Sequence, residues 1–133
     1  MTDDRTQIES LLRRLYAARA AGRLDELCAL FSADATLEIA GASRAKPVSI
    51  RARGQTECRS WLTLLLKTFR PNALTTVTQL IDGNRAAVRW RANILSKITG
   101  AVVPTELIDL IEFRDGRIVA YFELFSDCSG PMA

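Results

Sequence analysis

The chain contains no histidine in its 133 residues. That absence removes Ser-His and Cys-His nucleophile pairs, imidazole metal ligands, and the one side chain whose unperturbed pKa lies near neutrality. Acid and base chemistry must therefore fall to carboxylates, tyrosine, lysine or cysteine. Cysteine is scarce as well: Cys28, Cys58 and Cys128 are odd in number, far apart and without paired metal spacing. Neither a disulfide framework nor a metal site is expected from them. No apolar run approaches the ~20 residues that span a bilayer, and the acidic start at Asp3 and Asp4 lacks a signal-peptide core. The expectation is a cytoplasmic protein with no membrane contact. Eighteen Lys and Arg against fifteen Asp and Glu give a net charge of only +3, dispersed along the chain, so no nucleic-acid partner is expected.

What remains is an ordinary globular composition, 48% hydrophobic and 25% charged, which fits one domain over residues 1–133. At this length roughly two-thirds of the unfolded surface is buried on folding, enough for a core that encloses a pocket. Ile8, Leu11, Leu12 and Leu15 recur at helical spacing behind Thr6-Gln7-Ile8-Glu9, which fits a capping box, and Gly22 supplies a stop. A short second helix is expected through Leu24, Leu27, Cys28 and Phe31, then a strand through Thr36, Leu37, Glu38 and Ile39. Residues 41 to 54, with Gly41, Pro47, Gly54 and the basic Arg44, Lys46, Arg51 and Arg53, suggest a long loop carrying at most a short strand at Val48 to Ile50. Cys58, Trp61, Leu62, Leu65 and Phe69 predict a third helix ended by Pro71-Asn72. Residues beyond it alternate in strand fashion: Leu74 to Ile81, Arg85 to Ile98, Val102 to Arg114, and Arg117 to Ser126, separated by Asp82-Gly83-Asn84, Thr99-Gly100 and Asp115-Gly116. The fold class is α+β, with about three N-terminal helices covering one face of a curved antiparallel sheet.

Strand parity divides the last hairpin into two faces. One carries Leu107, Asp109, Ile111 and Phe113, then Tyr121, Glu123 and Phe125; the other carries Ile108, Leu110, Phe122 and Leu124. Both are substantially apolar, so the face that the helices leave bare is expected to meet a second copy in a homodimer. Arg89, Arg91 and Asn93 make a polar stripe suited to solvent or a dimer rim. Asp109 and Glu123 stand on the predicted inner face, and two carboxyls in an apolar cavity cannot both ionise cheaply. One proton donor and one acceptor at neutral pH are expected, with Glu123 as base, Asp109 as neutral donor, and Tyr16 or Tyr121 assisting. The alternative is that both acids pair with nearby arginines in a purely structural role.

The helical end Ala20-Ala21-Gly22-Arg23-Leu24-Asp25, the phrase Leu30-Phe31-Ser32-Ala33-Asp34-Ala35-Thr36-Leu37-Glu38 and the closing Phe113-Arg114-Asp115-Gly116-Arg117-Ile118-Val119 resemble the ketosteroid isomerase and SnoaL-like polyketide cyclase branch of the nuclear transport factor 2-like superfamily. The resemblance implies a cone in which helices close a curved sheet around an apolar pocket, and an outer face that often dimerises. It sets the isomerases' general base at Ile39 and their helix-one tyrosine nearest Leu15, with Tyr16 one place off. Their neutral, hydrogen-bond-donating aspartate falls at Asp109. SnoaL-like cyclases pair an aspartate base with a histidine that this chain lacks. The last hairpin is also similar to limonene-type epoxide hydrolases: one of their acids falls at Glu123, while Trp90 and Ala92 stand where their arginine and second acid are expected. The pocket is expected to involve Leu15, Phe31, Ile39, Trp61, Leu65, Trp90, Ile111, Phe113, Tyr121 and Phe125 around Asp109, Glu123 and Tyr16. The implied activity is isomerisation, cyclisation or hydration of a small hydrophobic molecule without a cofactor. A non-catalytic binding or dimerisation module is the alternative, since Ile39 replaces the family's base.

Overall fold

The computed structural model describes residues 4–42 and 47–127. Helix α1 spans Arg5–Ala21, α2 Leu24–Ala29 and α3 Gly54–Thr68. The strands are β1 Phe31–Ala42, β2 Pro47–Arg53, β3 Phe69–Asp82, β4 Arg85–Ser96, β5 Val102–Arg114 and β6 Arg117–Asp127. Asp4, rather than Thr6, caps α1: its carboxylate accepts the Gln7 amide at 2.7 Å, while Thr6 and Glu9 lie within the helix. Gly22 closes α1 as expected, with φ 69° and its amide donating to the carbonyls of Ala18 and Arg19. A side chain would be strained in that left-handed conformation.

All six strands form one sheet in the order β2-β1-β6-β5-β4-β3. Three expectations need correction. The stretch read as a loop is largely β2, antiparallel to β1; Gly41 lies in β1, between β2 and β6, and Pro47 is tolerated as the first residue of the edge strand β2. Arg44 and Lys46 lie outside the described residues, as does Cys128. The first strand begins at Phe31 rather than after Asp34, and it joins β6 in parallel, so the sheet is not wholly antiparallel. Phe69 opens β3, leaving α3 to end at Thr68. Register shifts at Asn72/Thr75 and Thr76/Thr78 interrupt the β3 ladder, and Ala73 sits between the first pair with φ 53°. Such bulges bend a strand and help curl the sheet around the helices.

Alternate residues of β4, β5 and β6 face the helices: Val88, Trp90, Leu107, Asp109, Ile111, Phe113, Tyr121 and Glu123 are buried, whereas Ile108, Leu110 and Leu124 are exposed. The stripe Ile8, Leu12 and Leu15 of α1 joins these residues in the core, with Cys58, Leu62 and Leu66 of α3. On the outer face Arg89 ion-pairs with Glu106, and Arg91 approaches the same carboxylate at 3.8 Å, so the polar stripe of β4 is a solvent-side ion-pair cluster. Arg51 pairs with Glu38 at 3.1 Å across β1 and β2.

Candidate functional site

The β5–β6 register sets Asp109 directly opposite Glu123, so strand pairing alone brings two carboxyls together on the inner face. Helix α1 lays Tyr16 and Arg19 over them. Four side chains converge on Asp109 and Glu123. Tyr16 donates its hydroxyl proton to Asp109 Oδ2 at 2.6 Å, the Tyr121 hydroxyl lies 2.6 Å from the same oxygen, and the Trp90 indole N–H donates to it at 2.9 Å. Arg19 forms a forked ion pair with Glu123, its second arm Nη2–Oε1 at 3.4 Å, and Nη1 also donates to the Tyr121 hydroxyl at 3.0 Å. Its guanidinium carbon lies 4.9 Å from the centre of the Trp90 ring, a cation–π distance. Asp109 is 0% exposed, Glu123 2% and Arg19 7%.

The cluster holds one cation, and Glu123 takes it. Burial acts against the Glu123 charge, but Arg19 and the hydrogen bonds from Asp109, Arg19 and Tyr121 outweigh it, so its pKa lies below the ordinary glutamate value. For Asp109, burial comes first and the Glu123 charge second; together they overcome Arg19 and raise its pKa well above the ordinary value. The hydrogen-bond pattern agrees with a protonated Asp109. Oδ2 accepts from Tyr16 and Trp90 and lies within hydrogen-bond distance of the Tyr121 hydroxyl, which is also 3.2 Å from Glu123, whereas Oδ1 is buried and has no partner among the described residues. A carboxylate would leave that second oxygen bare, which is costly, whereas a protonated Asp109 can share its proton with Glu123 in the side-chain hydrogen bond between the two acids. Burial, then Asp109, push both tyrosine hydroxyls well above their usual pKa, so both remain donors. Burial opposes the Arg19 charge, but Glu123 outweighs it and raises the guanidinium pKa.

A cavity of about 340 Å³ opens beside this cluster. Ile39, Leu65, Leu66, Ile94, Leu107 and Phe125 supply apolar wall, Ser96, Thr99 and Thr105 add hydroxyls, and Arg19 and Glu123 are its ionised lining residues. Phe69, 41% exposed, marks the outer part of the lining, and nearly inaccessible Glu123 the inner end. Behind lies a void of about 10 Å³ bordered by Leu15, Phe31 and Tyr121, at the lower limit of the volume one water needs.

The structure therefore divides the expected pocket residues. Ile39, Leu65 and Phe125 line the cavity; Leu15, Phe31 and Tyr121 border the void behind it. Trp61, Trp90, Ile111 and Phe113 line neither. Trp90 and Phe113 are wholly buried, and Trp90 packs edge-on against Tyr16 with ring centres 5.6 Å apart. Asp109 and Tyr16 likewise sit outside the lining, in the layer behind Glu123. The residue that sequence reasoning missed is Arg19. It continues the apolar stripe of α1 at four residues after Leu15 and seven after Leu12, and a charge in a core stripe demands a buried partner. Among the described residues no group of three or more Cys, Asp or Glu is arranged to hold a metal.

Residues 12–121 match the SnoaL-like domain. The chain belongs to the SnoaL-like domain family. Solved structures with the same nuclear transport factor 2-like fold include a candidate isomerase from Bacillus subtilis, 22% identical over 90% of this chain and 86% of that one, with a TM-score of 0.78. A candidate ketosteroid isomerase from Kribbella flavida is 18% identical over 95% and 82%, with a TM-score of 0.69. An LEH-like epoxide hydrolase from M. tuberculosis is 15% identical over 90% and 83%, with a TM-score of 0.69. No curated protein matches the chain in sequence. This SnoaL-like chain thus shares its fold with candidate isomerases and an epoxide hydrolase. Asp109 and Ile39 are the residues this chain has where the resemblance sets the isomerases' neutral aspartate and base.

Proposed function

We propose that this SnoaL-like protein binds a small, largely apolar carbonyl compound in the 340 Å³ cavity and moves a proton next to its carbonyl group. The observation that carries the reading is an ionised carboxylate, Glu123, lining an apolar cavity while its strand partner Asp109 stays protonated behind it. Glu123 takes the proton from the carbon beside the carbonyl, the electron pair of that C–H bond enters the carbonyl to give an enolate, and Glu123 returns the proton at the far carbon of the conjugated system. The product is an isomer; nothing is oxidised or consumed. Asp109, held by Tyr16, Tyr121 and Trp90, positions Glu123 and keeps it ionised through their shared hydrogen bond.

The test is hydrogen–deuterium exchange of 2-decalone in D2O, followed by proton NMR. Wild type accelerates exchange at the carbons beside the carbonyl, and Glu123→Gln loses at least a hundredfold of that acceleration, the usual contribution of a positioned base. Equal rates for both proteins overturn the reading. A second reading, a binding module without turnover, draws on the closure of Arg19 over Glu123 and on Ile39. It predicts that the ketone binds both proteins and exchanges in neither.

A further inference from the structure

The stretch from Cys58 to Thr105 contains one acid, Asp82, which ends the fourteen-residue strand β3 that Phe69 begins, beside Arg85 and away from the cavity. Of the cations in that stretch, Arg59 pairs with Asp25, and Arg89 and Arg91 share Glu106. Lys67, Arg70 and Lys97 have no acidic partner among the described residues, and all three are exposed. They stand on one rim. The Lys97 amide donates to the Thr68 carbonyl and its ammonium to the Leu66 carbonyl, each at 2.8 Å, and Phe69 is paired with Ser96. The end of α3, the start of β3 and the β4–β5 turn are thereby joined, and their Leu66, Phe69, Ser96, Thr99 and Ala101 line the 340 Å³ cavity. The same rim holds apolar side chains in water. Ile98 in the β4–β5 turn is 78% exposed, the most of any large hydrophobic side chain among the described residues, and Leu64, one helical turn before Thr68, is 53% exposed. The turn itself does not require isoleucine: the Ser96 and Gly100 amides close it on the Ala101 and Ser96 carbonyls, and the Thr99 amide on the Ser96 hydroxyl.

We infer that this rim docks on an anionic lipid surface and sets the mouth of the cavity against the bilayer. Unpaired cations interleaved with exposed apolar side chains complement a surface that is negative outside and hydrocarbon beneath. Lys67, Arg70 and Lys97 supply the attraction to lipid headgroups, while Ile98 and Leu64 enter the headgroup boundary. Basic side chains suit that position because their stems lie along apolar surface with the charge kept outward. Phe69 is both cavity wall and exposed rim, so the apolar lining continues without a break from the docking face to Leu65 and Ile94 inside. An apolar ligand then passes between bilayer and cavity without crossing water. No described helix is long and apolar enough to span a membrane, and docking of this kind needs none; it revises the expectation of no membrane contact that the lack of a long apolar run suggested. The inference holds whether the bound molecule is turned over or only carried.

The test is co-sedimentation with lipid vesicles. Wild type is expected to bind phosphatidylcholine–phosphatidylserine vesicles, to be released from them by high salt, and not to bind phosphatidylcholine alone. Each Lys or Arg at an anionic lipid surface strengthens binding about fivefold. The triple variant Lys67→Gln, Arg70→Gln and Lys97→Gln is therefore expected to bind about a hundredfold more weakly, and Lys67→Arg, Arg70→Lys and Lys97→Arg together to bind as wild type does. Leu64→Ser with Ile98→Ser keeps every charge and is expected to lose about tenfold or more, because two apolar side chains no longer leave water. Circular dichroism melts of these surface variants should match wild type. In bicelles that carry a nitroxide-tailed lipid, the amide signals of residues 67–70 and 96–101 are expected to broaden first. No vesicle binding, equal binding to neutral and anionic vesicles, or broadening centred on Leu110 and Leu124 overturns the inference. Soluble polyglutamate bound as tightly as the vesicles, with no effect of Leu64→Ser and Ile98→Ser, overturns it in favour of an acidic protein partner. None of these outcomes bears on deuterium exchange of 2-decalone, so the docking face and the proton-transfer function fail separately.

Discussion

Replacing Arg19 by methionine leaves Glu123 as a buried carboxylate with no cation. Removing one partner of a buried ion pair typically costs about 3–5 kcal/mol, because the other charge stays desolvated. Here Arg19 is 7% and Glu123 2% exposed, so little solvent is available to screen the loss. For a domain of this size each kcal/mol moves the melting temperature by roughly 3–4 °C, which gives a fall of about 9–20 °C at pH 7. The pH dependence carries the sign. In wild type Glu123 has a folded pKa below its ordinary value of 4.5, so the pair's stabilisation is fully present above that value and disappears as pH falls through the folded pKa. The gap between wild type and Arg19→Met should therefore be widest at neutral pH and narrow as pH falls below 4.5 through the folded pKa of Glu123. The double variant Arg19→Met with Glu123→Leu, which buries no lone charge, should recover most of the loss and show no such closing gap. Urea unfolding at five pH values measures all three. An Arg19→Met loss under 1 kcal/mol at pH 7, or one that does not shrink at all as the medium is acidified, refutes the buried-pair account.

Other perturbations test neighbouring parts of the site. Asp109 has a folded pKa well above its ordinary 3.8, so the unfolded chain releases this proton first and stability falls, by up to ~1.4 kcal/mol per pH unit, as pH rises from about 4 towards the folded pKa. Asp109→Asn, which keeps the oxygen that Tyr16, Tyr121 and Trp90 address, should abolish that slope in the same urea titration; an unchanged slope contradicts a protonated Asp109. A Cβ on Gly41 would overlap the Phe125 ring, so Gly41→Ala should cost about 1–3 kcal/mol and weaken 2-decalone binding, because Phe125 is cavity wall. Thermal melts and NMR titration check both effects. Leu110 and Leu124 are exposed on the outer sheet face at 49% and 44%, and we expect a second copy to cover them. Sedimentation equilibrium should give a dimer for wild type and a monomer for the Leu110→Lys and Leu124→Lys double variant; a monomeric wild type removes the expectation.

Much of this site was legible from residue parity. Alternation in β5 and β6 set Asp109 and Glu123 on one face, and hairpin pairing made them neighbours, because a strand's period of two leaves no freedom once one face is buried. The helical period likewise located α1 and Tyr16. Parity does not say how deep along the strand a residue lies. Trp90 and Phe113 share the inner face with the acids but lie at levels that the helices fill, whereas the cavity opens towards Ile94, Val103 and Phe125. Arg19 escaped because an apolar stripe was sought by its apolar members, and the informative residue was the charged one in step with them. The parallel pairing of β1 with β6 joins segments some eighty residues apart, and no local pattern encodes it. Gly41 and Pro47, read as loop signals, concealed the end of β1 and the start of β2, since an edge strand tolerates proline where a central one does not.

Carbon-13 NMR titration of the side-chain carboxyls, with Asp109→Asn and Glu123→Gln to assign the two signals, tests the divided protonation of the Asp109–Glu123 pair most directly. Asp109 should remain protonated at neutral pH while Glu123 stays ionised to below its ordinary value near 4.5. Two ordinary titrations near 4 would mean that water reaches both groups and that the cavity has no proton to place.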